Sequence, residues 1–329
     1  MKISTGLLLV SAAAVLAGCE RTGSARGDVN SIIIAADSGL WAAIGDSVMR
    51  ALEPPVFAVR NERTFNVTHV APNDSIWPEM RGLRQVLVIG AADDAWVSPV
   101  LDRANQPDAS GIVRTSDVWA RNQFATALVL PATGDAAAAL PQVGRLAAFM
   151  DSTFRQYAIQ RMYTSAPDSA LRDSLLEHRG YGILLPNVYQ ALDRGESLSM
   201  FQTSTQVGGD LVRNILIASR EGVSEPSAEA AVAWRDSLAA EQYNPAQITE
   251  RARVDSTPVP GGVEIQGVWT GTDPSWPLAG PFIARMVVCP QQNRTYLVDT
   301  WLFAPSRKKY EYVIQLQTIL STFECGAGS

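Results

Sequence analysis

The sequence predicts a mixed α+β protein: an N-terminal α/β unit, then a mostly antiparallel α+β unit with a C-terminal helix packed on its sheet. Three observations carry this. In the first half, apolar runs alternate with stretches of helical period. In the second, strand-like runs follow one another across turn sequences. Between them Thr164-Ser165-Ala166-Pro167-Asp168 is small, polar and broken by proline, the composition of a boundary. Of the 329 residues 47% are hydrophobic, which is ample for a core in each half.

Taken in order, Ser31–Ala36 is a continuous apolar run, the pattern of a strand buried on both faces. Asp37 or Ser38 then caps a helix with Trp41, Ile44, Val48 and Leu52 on one side, ending before Pro54-Pro55. Further strands are expected at 64–70, 85–90 and 122–130, and Asp135 opens a long helix bearing Leu140, Val143, Leu146, Met150, Phe154 and Tyr157. Past the boundary come a short helix at 169–178, a strand at 180–186, and strands at 197–203 and 211–219 joined through Gly208-Gly209. A helix follows from Ser224 and Pro226 to Leu238, then strands at 263–270, 282–289 and 295–303. The last helix carries Tyr312, Val313, Leu316, Ile319, Leu320 and Phe323 as one apolar stripe.

The N-terminus has its own logic. Lys2 precedes an apolar run from Leu7 to Leu16, too short to span a bilayer, and Leu16-Ala17-Gly18-Cys19 has the form of a bacterial lipoprotein cleavage box. Residues 1–18 are thus expected to be a signal peptide and Cys19 the lipidated first residue of the mature chain. The resemblance of this start to lipoproteins of two-membrane bacteria implies, with Glu20 rather than Asp after the cysteine, the outer over the inner membrane. Polar, Gly/Ser-bearing residues 19–30 are expected to form a flexible tether, followed by an N-terminal domain at 31–165 and a C-terminal one at 166–329. With a net charge of −6, the body is expected to stand off an anionic bilayer and to avoid nucleic acid. Cys289 and Cys325 are left as a disulfide or two buried thiols. An oxidising compartment favours the pair, whose closed loop is worth roughly 4 kcal/mol.

Catalytic signals are sparse. With two histidines and three cysteines, most His- or Cys-based metal sites are excluded, and no cofactor is implied. Gly45-Asp46-Ser47 resembles the opening block of the GDSL/SGNH hydrolases, yet it falls inside a predicted helix, and neither His69 nor His178 has an aspartate three residues before it. Asp93-Asp94 follows a strand at its carboxyl end, where α/β sheets bind ligands, and reads first as a turn or cap. Trp276, Arg285 and Trp301 form the candidate ligand surface, rings beside a cation, with Trp276 expected to be exposed and Trp269 buried.

The tail carries a resemblance. Gly267-Val268-Trp269, Gly280-Pro281-Phe282, Asn293 to Val298, and Phe303-Ala304-Pro305 with Arg307-Lys308-Lys309 resemble the uncharacterised lipoprotein family catalogued as domain of unknown function 4837. Leu40-Trp41, Gly45-Asp46-Ser47, Trp119-Ala120 and Gln123 extend the likeness to the front. Asp299-Thr300-Trp301 departs from it. The resemblance implies a lipoprotein of two-part architecture and brings no catalytic residue. The expected function is that of a lipid-anchored cell-envelope protein, non-enzymatic, binding or assembling with an envelope protein or polymer. The alternatives are a serine hydrolase using Ser47 and a glycan or small-ligand binder using Trp276.

Overall fold

The computed structural model describes residues 23–327 apart from 194, 196, 208–209 and 255–258. The signal peptide, Cys19 and the Gly208-Gly209 turn lie outside the described residues. The first half contains β1 (Ser31–Ala36), α1 (Ser38–Leu52), short β2 (Pro55–Val56) and β3 (Glu62–Arg63), β4 (Asn66–Val70), α2 (Trp77–Met80), β5 (Gln85–Ala91), α3 (Ser98–Ala104), β6 (Gly111–Ser116), β7 (Phe124–Leu130), α4 (Ala136–Ala139) and α5 (Val143–Met162). Its sheet runs β4-β1-β5-β7-β6, parallel except for β6.

Alternate residues of the parallel strands serve two cores. Ile32, Ile34, Leu87 and Ile89 meet α1 and α5 on one face, while Ile33, Ala35, Val86 and Val88 meet α3 and Trp77 on the other. That double burial is why the strands read as unbroken apolar runs. Asp37 caps α1 as expected, accepting from the N–H groups of Gly39 and Leu40. The long helix from Asp135 is instead interrupted: Asp135 caps α4, Pro141 sits in a 3₁₀ turn, and α5 begins at Val143. Proline has no N–H to extend the ladder.

The second half contains α6 (Ser169–Arg179), β8 (Tyr181–Gly182), β9 (Gln190–Asp193), β10 (Leu198–Thr205), β11 (Leu211–Glu221), α7 (Ala228–Gln242), β12 (Gln247–Val254), β13 (Gly262–Gly271), β14 (Ala279–Cys289), β15 (Arg294–Phe303), α8 (Tyr310–Ser321) and β16 (Glu324–Cys325). Seven of these strands form an antiparallel sheet in the order β12-β13-β14-β15-β11-β10-β9. The strand expected at 180–186 shrinks to β8, which pairs with β16. Cys289 and Cys325 are joined in a disulfide with their Cα atoms 5.8 Å apart, pinning β16 to the end of β14.

Helix α7 covers one face of the large sheet through Ala231, Trp234 and Ala239. Helix α8 covers the other through Leu316, Ile319 and Leu320. It also does more than the sequence predicts. Its Tyr310 and Ile314 belong to the core of the first half, where the Tyr310 ring stacks on Phe154 of α5, 5.4 Å between centroids and 4° between planes. The C-terminal helix is therefore shared by both lobes. Gly280 of the tail motif has a packing role: a Cβ there would lie 1.7 Å from the Leu302 carbonyl oxygen.

Residues 23–30 are not the tether that their composition suggests. Ala25 is 4% exposed, and its N–H donates to the Arg121 carbonyl at 2.8 Å. The Arg84 N–H donates to the Arg26 carbonyl at 2.8 Å, and the Asn66 N–H to the Asn30 carbonyl at 2.9 Å. The segment supplies backbone partners at the starting edge of the parallel sheet, which would otherwise leave groups unpaired.

Candidate functional site

The predicted site residues do not converge. Trp276 is exposed (66%) on the loop between β13 and β14. Trp301 is buried against Trp269, ring centroids 5.2 Å apart, in the core beneath α7. Arg285 occupies the opposite face, paired with Glu264 and donating from Nη1 to the Leu320 carbonyl of α8 at 3.1 Å. Neighbouring positions on paired strands alternate between faces, so closeness in sequence placed the cation and the ring on different sides.

The hydrolase alternative finds no support in geometry. Ser47 lies mid-way along α1, and Gly45 is there because a Cβ would lie 2.8 Å from the Trp41 ring. Trp41 in turn stacks on His69 (4.5 Å, 2°), whose Nε2 meets the Ala36 carbonyl at 2.9 Å. His178 is exposed on α6, its Nδ1 2.9 Å from the Ser174 carbonyl. Asp94 organises a turn: it accepts from the Ala91 N–H at 2.8 Å and the Thr133 hydroxyl at 2.6 Å. Asp93 borders a hollow of about 1020 Å³ at the carboxyl ends of β5 and β7, but Arg145 is the other charge on walls that are mostly apolar. Among the described residues no group of three or more His, Cys, Asp or Glu side chains could hold a metal ion.

Charge gathers elsewhere, in a cleft of about 580 Å³ between the lobes. Its floor is the turn from Pro305 to Lys309 that leads into α8, and its walls are the residues before β1, the end of α5 and the turn before β3. Arg60, Arg84, Arg161, Arg307, Lys308 and Lys309 line it against Asp28, Glu62 and Glu311. Two of the three acids are committed to holding the lobes together. Glu62 receives both the Lys309 ammonium and the Lys309 backbone N–H, each at 2.7 Å. Glu311 pairs with Arg161 of α5 at 3.2 Å. Burial raises the Glu311 pKa, and Arg161, Arg213 and Arg307 act against that rise.

Three of the remaining cations make hydrogen bonds to neutral groups. Lys308 reaches Asn66 Oδ1 at 3.3 Å, Arg307 donates to the Tyr312 hydroxyl at 3.2 Å, and Arg84 to the Ala25 carbonyl at 3.3 Å. Arg84 Nε is buried with no hydrogen-bond partner among the described residues. An adjoining pocket of about 370 Å³ shares Arg161, Arg307, Glu311 and Tyr312 and adds Arg213, which donates to Gln315 Oε1 at 2.7 Å. Guanidinium groups fixed in this way present planar pairs of donors suited to carboxylate or phosphate.

A second charged cluster provides the contrast. Beneath α7, Arg235 is wholly buried. Its Nε, Nη1 and Nη2 donate to Asp299 (3.1 Å), Thr249 (2.9 Å) and Gln247 (3.0 Å). The Tyr243 hydroxyl donates to the other Asp299 oxygen at 2.6 Å. Every partner is supplied from within. Burial nonetheless raises the Asp299 pKa above the usual carboxylate value, with Arg235 opposing it.

Residues 169–322 match the family model described as Domain of unknown function (DUF4837). Residues 25–165 match a different one, Domain of unknown function (DUF8532). The likeness of the front to the first family is thereby corrected, since Leu40-Trp41, Trp119-Ala120 and Gln123 fall within the second match. The cleft lies where the two matched segments meet in space. No curated protein matches the chain. Among solved structures, the Ran-binding protein Mog1p of Saccharomyces cerevisiae is 10% identical, with 44% of this chain and 90% of that one covered and a TM-score of 0.31. Human StAR-related lipid transfer protein 5 is 10% identical, with 52% and 95% covered and a TM-score of 0.19. Likeness at this level carries no argument about activity.

Proposed function

We propose that the protein is a lipid-anchored cell-envelope binding protein whose inter-lobe cleft takes an acidic segment of an envelope partner. The observation that carries the reading is the excess of cations in the cleft, six against three carboxylates, in a chain whose net charge is −6. Two of those carboxylates are used between the lobes, so an incoming anion would meet arginine and lysine held by neutral groups. The aromatic rings of Phe154, Tyr157 and Tyr312 in the walls favour a peptide over a bare ion. Lipidation of Cys19 and an outer-membrane location follow the cleavage box and Glu20.

Calorimetric titration of the full chain with a decaglutamate peptide tests the cleft. Binding is expected, and the double substitution Arg60→Gln with Lys308→Gln should weaken it about tenfold or more, as charge-assisted contacts are lost. Equal affinity in the variant, or no binding by the native chain, overturns the reading. The anchor is tested separately: Cys19→Ala should release the protein from membranes.

A further inference from the structure

The docked N-terminal segment decides which side of the body would meet a membrane. The described chain begins at Gly23, whose carbonyl accepts from the Arg121 N–H at 3.0 Å. From there the segment follows the edge where the parallel strands start, with Ser24 bridged to Arg121 and Arg26 to Leu83. Three residues lie between Cys19 and Gly23, and the four steps from one to the other reach at most about 14 Å when fully extended. A lipid on Cys19 would hold this edge within that distance of the headgroups.

The same edge is basic. Arg26, Arg81, Arg103 and Arg121 are exposed on it. Arg103 donates from Nε to the Ser116 carbonyl at the end of β6 (3.2 Å), and the Arg81 carbonyl receives Gln123 Nε2 at 2.6 Å. Arg60 and Lys308, also exposed, stand at the adjoining cleft, where Lys308 meets Asn66 at the start of β4. Against these six lie Asp28, Glu79, Asp102 and Asp117, of which Glu79 is 4.0 Å from Arg26. The protein's net negative charge therefore resides on the rest of its surface.

We infer that this edge docks on an anionic phospholipid bilayer, so that the protein stands on the amino ends of its parallel strands with the cleft at the membrane surface. The inference rests on the lipid-anchor reading of Cys19. It replaces the expectation of an acidic body held off the bilayer by a tether, because the short linker leaves no room to stand off and the surface it presents carries more arginine and lysine than carboxylate. Each arginine beside an anionic leaflet favours docking about fivefold.

The test uses the full, lipidated chain in vesicles of phosphatidylglycerol and phosphatidylcholine in equal parts. Ser116→Cys places a spin label on the basic edge. Ala95→Cys places one beyond the far end of β5, a seven-residue strand, roughly 20 Å away. Acylation of Cys19 and pairing of Cys289 with Cys325 leave the introduced thiol for labelling. A lipid-bound relaxation agent should reach the label at 116 several-fold more than that at 95. That preference should fall to near equality when Arg26, Arg81 and Arg121 are all changed to Gln, since each arginine contributes about fivefold to docking, and likewise in vesicles of phosphatidylcholine alone. Equal accessibility at the two positions, or a preference untouched by the triple variant, overturns the docking while co-sedimentation with vesicles keeps the anchor. A chain that does not co-sediment, with Cys19→Ala behaving as the native sequence, overturns both.

Discussion

The cluster around Arg235 and the cleft around Arg307 are both built from arginine, and they differ in what completes them. Arg235 is closed: Asp299, Gln247 and Thr249 take its donors, Tyr243 takes the second Asp299 oxygen, and the Phe282 ring lies 3.7 Å from the guanidinium carbon. The cleft is open, lined by six cations against three carboxylates, two of them occupied between the lobes. Saturated charge specifies structure, and charge left in excess at an accessible surface attracts a ligand. A buried pair repays its desolvation only when each partner is satisfied, whereas a solvated cation waits for an anion at little cost.

This contrast can be broken in three ways. The largest effect is expected at Asp299→Ala, which strands Arg235 in a sealed interior and should destabilise the protein by about 3–5 kcal/mol in denaturant unfolding. Replacing the pair together with apolar residues, Arg235→Met with Asp299→Leu, should recover most of that loss. A double variant as unstable as the single one would show that the ion pair itself is required.

An intermediate effect is expected at Tyr189, whose ring lies 5.7 Å from the Arg213 guanidinium. Its hydroxyl is buried without a hydrogen-bond partner among the described residues. Burial pushes its pKa up to about 12 from 10.0. A raised folded-state pKa means that the phenol's contribution is fully present below pH 10 and is lost as pH rises through about 12. Two pKa units correspond to roughly 3 kcal/mol. Alkaline unfolding monitored by circular dichroism should show that decline, and Tyr189→Phe should make it shallower while leaving neutral-pH stability nearly unchanged.

The smallest stability effect belongs to the open site. Arg60→Gln and Lys308→Gln should shift unfolding by less than about 0.5 kcal/mol, as for exposed charges generally. The same pair should weaken decaglutamate binding. Loss of stability comparable to that of Asp299→Ala would make the cleft a second structural cluster and remove the distinction.

Much of the architecture was legible because it rests on local pattern. The unbroken Ile32-Ile33-Ile34 run announced a strand buried on two faces, Asp37 announced a cap, and the boundary near Pro167 separated the parallel sheet from the antiparallel one. Strands β6, β9 and β12, each at the edge of its sheet, were missed for a physical reason. β12 reads QITERARV and lies at a sheet edge, where charged residues face solvent and apolar alternation disappears. The site was less legible. Trp276, Arg285 and Trp301 are near in sequence and diverge in space, while the cleft draws on residues from Gly27 to Tyr312. Its one sequence signal was Arg307-Lys308-Lys309, present in the tail motif but hidden beneath a negative net charge.

By itself the sequence determined the order of most elements, the two main sheets and the cysteine pair that could close. Those features depend on neighbours along the chain, on the period of apolar residues and on capping chemistry. Only the tertiary structure decided that residues 23–30 are docked and that α8 serves both lobes. It also decided that ten of the 27 lysines and arginines gather along one edge and one cleft. These outcomes depend on which surfaces are left to pair once the sheets have formed, and charge distribution in space does not follow from charge counted along a chain.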